Sequence, residues 1–352
     1  MDLQTTSEPV TWMPGSFKAS SLLIGIDISI GIVGVIGNLV VSLTILKSKG
    51  LHSLTHYFLL SLAIADSLVC ITGILHAYVI TEYNNRTQGA EVLYIVSGYM
   101  RRSSTGQSAL SLLLVTFERF IGIVRPLHHC SFFTRRKVTL LILFVWIVPA
   151  FIEIWGTIWY IVRRGNCAEH LSSLGCDPYL PGFIFIVVNA LLLFAVPAAA
   201  MIWMYVQILR NLKESARRRQ NLGIQGPNEL QRARQKLIHA LLLVILAFLA
   251  LIMPEKVMYI VSTAMYQDSE NLSIPVLFQF AMILLLVNST VNPILYALKY
   301  DKFREEVISV LCCRLKTSGN QPVPDVKRHM GHTPVSQQAK HQATPMCYES
   351  CV

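Results

Sequence analysis

Seven apolar stretches, each long enough to cross a lipid bilayer as a helix, constrain this chain more than any other feature. Crossing the hydrocarbon core takes about 20 apolar residues in helical conformation. Such stretches fall at roughly 20–46, 54–81, 92–124, 138–162, 181–208, 237–263 and 273–298, here called spans 1 to 7. Their weight shows in the composition: 53% of the residues are hydrophobic, 14% are charged, and the mean hydropathy is +0.50. That is too apolar for a water-soluble protein of this length. The expectation is an all-α membrane protein, a seven-transmembrane helix bundle over residues 20–298. Residues 1–19 read as an extracellular N-terminus too short to form a binding domain of its own. Residues 299–313 read as a short amphipathic eighth helix ending in a cysteine pair, and 314–352 as a polar, disordered cytoplasmic tail. The first residues include Asp2 and Glu8 and lack a basic-then-apolar pattern, so span 1 itself is expected to act as the targeting signal.

The net charge of +10 raises the question of nucleic-acid binding, and its distribution answers against it. Fourteen Lys and Arg residues lie between spans 1–2, 3–4 and 5–6, from Lys47 to Lys236, against four (Lys18, Arg86, Arg163, Arg164) on the opposite side. This is the positive-inside bias, which puts the N-terminus outside and the C-terminus in the cytoplasm of a multi-pass plasma-membrane protein. The sequons at Asn85 and Asn271 then face outward as glycosylation sites, whereas a third, at Asn288, is buried in span 7. Of the eight cysteines, Cys167 and Cys176 share the outer loop between spans 4 and 5. They suit either a local disulfide or two free thiols. Cys312 and Cys313, just past the amphipathic stretch, suit palmitoylation. No cysteine or histidine spacing resembles a metal site.

Polar residues inside spans are costly and mark function by default. Asn38, Asp66, Ser108, Asn288, Ser289 and Asn292 form such a set, with Asn288, Asn292 and Tyr296 on one helical face. A sodium ion held by Asp66 with hydroxyl and amide oxygens would balance the lone carboxylate. A hydrogen-bonded cluster with Asp66 at times neutral would serve equally. The Asn292-Pro293 step removes a backbone hydrogen bond and marks a moving part. Glu118-Arg119-Phe120 lies at the inner end of span 3, where Arg119 could simply reach for the headgroups.

In their order and spacing these residues resemble the rhodopsin family (class A) of G-protein-coupled receptors over about residues 20–313. The resemblance rests on Gly37-Asn38, Leu62-Ala63-Ile64-Ala65-Asp66, Glu118-Arg119-Phe120, Trp146, Pro197 with Tyr205, Phe248 with Pro254, Asn292-Pro293-Ile294-Leu295-Tyr296, and Phe303. It implies a receptor that binds an extracellular ligand in the bundle and activates a heterotrimeric G protein. The resemblance also implies roles. Arg119, Tyr205 and Tyr296 would form the switch, and Leu127 would dock in the G protein. Asp66, Ser108, Asn288 and Ser289 would hold an allosteric sodium ion, the only cofactor expected.

Three departures from the family pattern stand out. Tyr94 occupies the usual position of the cysteine that bridges span 3 to the second outer loop, so Cys167–Cys176 would close that loop on itself. Ile252 replaces the usual tryptophan beneath the ligand. Arg234 stands where an acidic residue often restrains the span-3 arginine, which leads us to expect raised basal activity. Leu286 occupies the retinal-lysine position of light-sensing relatives and so excludes an opsin.

The ligand pocket is expected around Arg101, Arg102, Glu255, Lys256 and Tyr259. Arg101 stands where amine receptors carry aspartate, which argues against a biogenic amine. It would bind an anionic group of a small molecule, lipid or peptide, or else pair with Glu255. On the inner side, Arg217-Arg218-Arg219 either meets anionic lipid or G protein, or simply reports topology. Thr333, Ser336, Thr344 and Ser350 are expected kinase sites for arrestin recruitment. The terminal Ser350-Cys351-Val352 fits capture by a PDZ domain. No catalytic set appears, so an enzyme is not expected. A secondary transporter is the remaining alternative, although no internal repeat supports it.

Overall fold

The computed structural model describes residues 21–48, 54–84, 89–169, 179–222, 229–264, 273–299 and 301–311. These form α1 (Ser21–Lys47), α2 (Leu54–Asn84), α3 (Ala90–Val124), α4 (Pro126–Phe132), α5 (Arg135–Glu169), α6 (Tyr179–Ala190), α7 (Val196–Asn221), α8 (Glu229–Ala264), α9 (Ser273–Lys299) and α10 (Asp301–Leu311). A five-residue π-helical turn, Leu191–Ala195, joins α6 to α7. Seven helical segments are long and apolar enough to cross a membrane. They are α1, α2, α3, α5, the α6–α7 unit, α8 and α9, matching spans 1 to 7.

The helices close into a ring around α3. Its apolar window is 67% buried, against 22% for that of α5 and 17% for that of the α6–α7 unit, so α3 is the axis and α5 and the α6–α7 unit turn most of their surface outward. α1 packs on α2 and α9, α2 on α3, α3 on α5 and α7, and α8 on α9. Phe151, Trp155 and Ile36 are exposed on the outside, where lipid replaces water as the solvent. The interior holds Phe58, Leu62, Met201, Ile208, Phe248 and Ile252 together with many buried polar side chains.

Small residues set the closest helix approaches. A Cβ on Gly37 would lie 3.2 Å from the Pro293 ring, and one on Gly34 would lie 2.7 Å from Thr290 Oγ1. These glycines let α1 seat against the proline turn of α9. In the same way, a Cβ on Gly106 would lie 2.8 Å from Pro149 Cβ, which brings α3 against the proline in α5. The π turn has a local cause. Pro197 lacks an N–H and its ring crowds the carbonyl four residues back, at Leu193. The wide turn relieves that clash and is of the kind often found at functional sites.

α4 begins with Pro126 in its first turn, a position where proline's fixed φ is already helical. α10 runs from Asp301 to Leu311 and is anchored by the buried ring of Phe303, packing against α1 and α9. Asn85, Asn271, Cys176, Cys312, Cys313 and the tail sites lie outside the described residues. Cys167, Tyr296 and Arg234 belong to α5, α9 and α8, with side chains outside the description.

Candidate functional site

Three polar layers are stacked along α3, and each is built from its helical register. The middle layer surrounds Asp66 of α2, which is fully buried. Ser108 of α3 donates to its Oδ1 at 2.5 Å and Asn292 of α9 to its Oδ2 at 2.8 Å. Ser289 of α9 is buried in the same stretch. Asn38 of α1 donates to the carbonyls of Gly34 and Ser289 at 3.0 and 2.9 Å. Asn288 is buried in the same stretch of α9. Four helices are thus joined by residues whose polarity lipid would not tolerate. Buried groups of this kind need partners, and here they have them.

The donor set is one carboxylate with hydroxyls and amides, hard ligands suited to a cation of low charge. Among the described residues no group of three or more His, Cys, Asp or Glu side chains could hold a metal ion.

The inner layer lies at the end of α3 that carries Glu118-Arg119. Glu118 is buried, with Oε2 3.4 Å from Nε of Arg119 and Oε1 2.8 Å from Nε2 of His129. His129 sits on α4, so the acid beside Arg119 also ties down the helix that carries Leu127. Leu127 is 91% exposed, a large apolar residue presented beyond the bundle. Phe133 holds α4 in place through edge contacts with Phe58, Phe117 and Phe132 at 5.8, 6.0 and 5.1 Å between ring centroids. Tyr205 packs against the core from α7. Above it, the buried Phe248 of α8 stacks on Phe194 of the π turn at 5.6 Å. The widened turn therefore couples the proline segment of α7 to α8. Pro254 and Pro293 both lie inside their helices.

The outer layer is the most charged. Arg101 is buried and donates from Nη2 to the Tyr259 hydroxyl at 2.8 Å and from Nη1 to the Met282 sulfur at 3.0 Å. Its pairing with Glu255, one of the two arrangements expected, is not the one found. Glu255 faces its own neighbour Lys256 at 3.1 Å. Arg102 points to the other side, onto Glu153 of α5 at 2.9 Å and Thr157 at 3.3 Å. The second Glu153 oxygen accepts from Asn189 of α6 at 2.6 Å. On α1, the buried Asp27 accepts from the side-chain amide of Gln279 of α9. His76 Nδ1 and Ser97 Oγ lie 2.9 Å apart, and the imidazole packs against Tyr94 at 5.2 Å. The position where a bridging cysteine was missed thus supplies a ring that covers a buried histidine.

Asp27, Glu153, Gln279, Asn189, His76 and His129 were not singled out from the sequence. Asp27 and Glu153 carried a readable signal, since each is an acid inside an apolar span. His129 carried none, because a loop histidine has many unremarkable uses.

The fold and these layers define a multi-pass membrane protein with seven candidate spanning helices among the described residues. The description "7 transmembrane receptor (rhodopsin family)" matches residues 37–296, and the chain belongs to that family of receptors. Among curated proteins it is similar to lysophosphatidic acid receptor 3 of Mus musculus, 26% identical over 82% of this chain and 77% of that one. It is also similar to somatostatin receptor type 4 of Rattus norvegicus, 24% identical over 82% and 73%. Thyrotropin-releasing hormone receptor of Mus musculus is 25% identical over 80% and 77%.

Proposed function

We propose that the chain is a plasma-membrane G-protein-coupled receptor, with its N-terminus outside. It binds an extracellular ligand between the outer halves of the spans and activates a heterotrimeric G protein at its inner end. The observation that carries this is the arrangement on α3: Arg101, Ser108 and Glu118-Arg119 stand in three polar layers on one rigid rod. From Arg101 to Arg119 the rod spans about 27 Å at 1.5 Å per residue. A change in contacts at one end biases the packing at the other, which is what coupling between two sites requires.

The ligand carries an acidic group that meets Arg101, a planar donor fork suited to carboxylate or phosphate. Its two present acceptors are neutral, and thioether sulfur is a weak one that an anion readily replaces. Sodium fits the Asp66 layer as an allosteric ion, where Asp66, Ser108, Asn288 and Ser289 would hold it. Its charge would favour the closed packing of α2, α3 and α9. Leu127 docks in the G protein, and Arg119 engages it once Glu118 lets go. Tyr205 and Tyr296 complete the switch, and Arg234 in place of an acid leaves the resting state weakly restrained. Arrestin and a PDZ-domain protein are further proposed partners of the tail. The disulfide between Cys167 and Cys176, glycans on Asn85 and Asn271, and acyl chains on Cys312 and Cys313 belong to the same proposal.

The test is to express the full chain in cells and record a panel of G-protein sensors without added ligand, beside Arg119→Ala. Basal signal from one G-protein class that Arg119→Ala lowers at equal surface expression is the expected result. Wild type and variant both matching mock-transfected cells would contradict raised basal activity.

A further inference from the structure

The charges of the outer layer balance. Among the described residues it holds three acids (Asp27, Glu153, Glu255) and three bases (Arg101, Arg102, Lys256). Two acid–base pairs are made within the protein, Arg102 with Glu153 at 2.9 Å and Lys256 with Glu255 at 3.1 Å. The third acid and the third base are left apart. Asp27 and Arg101 are each about 95% buried, at 4% and 5% exposure, and are held by neutral groups rather than by each other. Asp27 Oδ1 and Arg101 Nε have no hydrogen-bond partner among the described residues. Buried charged atoms left in this way are rare, and each one asks for an explanation.

Their holders on α9 are near neighbours. Gln279, which holds Asp27, and Met282, which touches Arg101, are three residues apart on α9. That is about 4.5 Å along the helix axis.

We infer that this gap is the ligand subsite and that it takes a small zwitterion of the amino-acid type. Its carboxylate lies on the Nε edge of Arg101 and its ammonium on Oδ1 of Asp27. The inference rests on the receptor reading above and narrows its ligand class. A ligand with only an acidic group would leave the layer with an excess negative charge in a low-dielectric site, which is costly. An amine alone would leave the opposite excess. A zwitterion satisfies both orphaned atoms and leaves the sum unchanged. Its charges are separated by a few bonds, which matches groups held one helical turn apart. A carboxylate on that edge meets Nε and one Nη, so it displaces at most one of the two present acceptors, the Tyr259 hydroxyl or the Met282 sulfur.

The experiment uses the purified full-length receptor in lipid nanodiscs and reads thermal unfolding. The probes are the twenty proteinogenic L-amino acids, β-alanine and γ-aminobutyric acid. Each probe that shifts the midpoint is followed by the matching amine without the carboxylate and the matching acid without the amine. The expected result is a dose-dependent rise in midpoint for at least one zwitterion, with half-effect at least tenfold weaker for both single-charge analogues. Asp27→Asn should erase the advantage over the acid, and Arg101→Gln the advantage over the amine.

The analogue series on wild-type protein decides the matter even where a variant folds poorly. No shift from any zwitterion, or an acid analogue equal to its zwitterion, overturns the inference. G-protein nucleotide exchange is read separately on the same nanodiscs. A zwitterion that stabilises the protein without altering exchange upholds the subsite and counts against the receptor reading. Basal exchange lowered by Arg119→Ala, with no zwitterion shift, does the reverse.

Discussion

Arg102 and Glu153 form the ion pair whose removal has the most predictable consequence, because the two ends are buried unequally. The Glu153 side chain is 2% exposed and that of Arg102 is 31% exposed. Arg102→Met leaves a buried carboxylate with only Asn189 for company. It should lower stability by about 3–5 kcal/mol, as when one partner of a buried pair is lost. Glu153→Gln leaves an arginine that can turn outward, so its effect should be smaller. Thermal unfolding of the two variants in the same detergent checks the order, and equal or reversed losses would contradict it. At this scale the sequence was only partly legible. Asp66, Ser108 and Asn292 could be grouped because their types and spans matched a known arrangement. Asp27 and Glu153 could be flagged by polarity but not paired, since Gln279 lies 252 residues from its partner and nothing local encodes that meeting. Arg101 and Arg102 are adjacent in sequence yet meet different helices, because neighbours on a helix point about 100° apart.

Elements were the more legible scale, because helix length in a bilayer is fixed by thickness and proline positions are explicit. The π turn at Leu191–Ala195 was not foreseen: Pro197 predicts that the helix is disturbed, but not whether by a kink, a break or a widened turn. Nor does the sequence reveal α4 as the helix that carries Leu127 against Glu118 through His129. Two predictions belong here. Leu127→Asp places a charge on the exposed apolar tip of α4, where it touches nothing in the fold. It should reduce G-protein activation at least tenfold while leaving surface expression within about 20% of wild type, the near-neutral stability expected of an exposed site. Normal activation would remove α4 from the docking surface. Gly37→Leu pushes a side chain into the Pro293 ring and separates α1 from α9. The expected loss is about 1–3 kcal/mol, typical of overpacking, read as a lower unfolding midpoint. Gly25 has open space at its Cβ and lies outside that approach, so Gly25→Ala serves as the control and should change little.

At the scale of the whole molecule, one central helix joins a charge-balanced outer layer, a cage of neutral donors around Asp66 and the Glu118-Arg119 pair. The middle layer yields a signed prediction. Asp66→Asn removes the single charge a cation would need, so any sensitivity of unfolding to sodium over potassium in the wild type should vanish in the variant. An equal sodium effect in both would locate the ion elsewhere. The central claim is transmission along α3 to a G protein. The most direct measurement is nucleotide exchange on purified heterotrimeric G proteins of each class, catalysed by the full-length receptor in nanodiscs, with Arg119→Ala alongside. The account predicts that wild type accelerates exchange on at least one class and that Arg119→Ala reduces that rate at least tenfold at matched folding. Equal rates for wild type and variant across every class would contradict it.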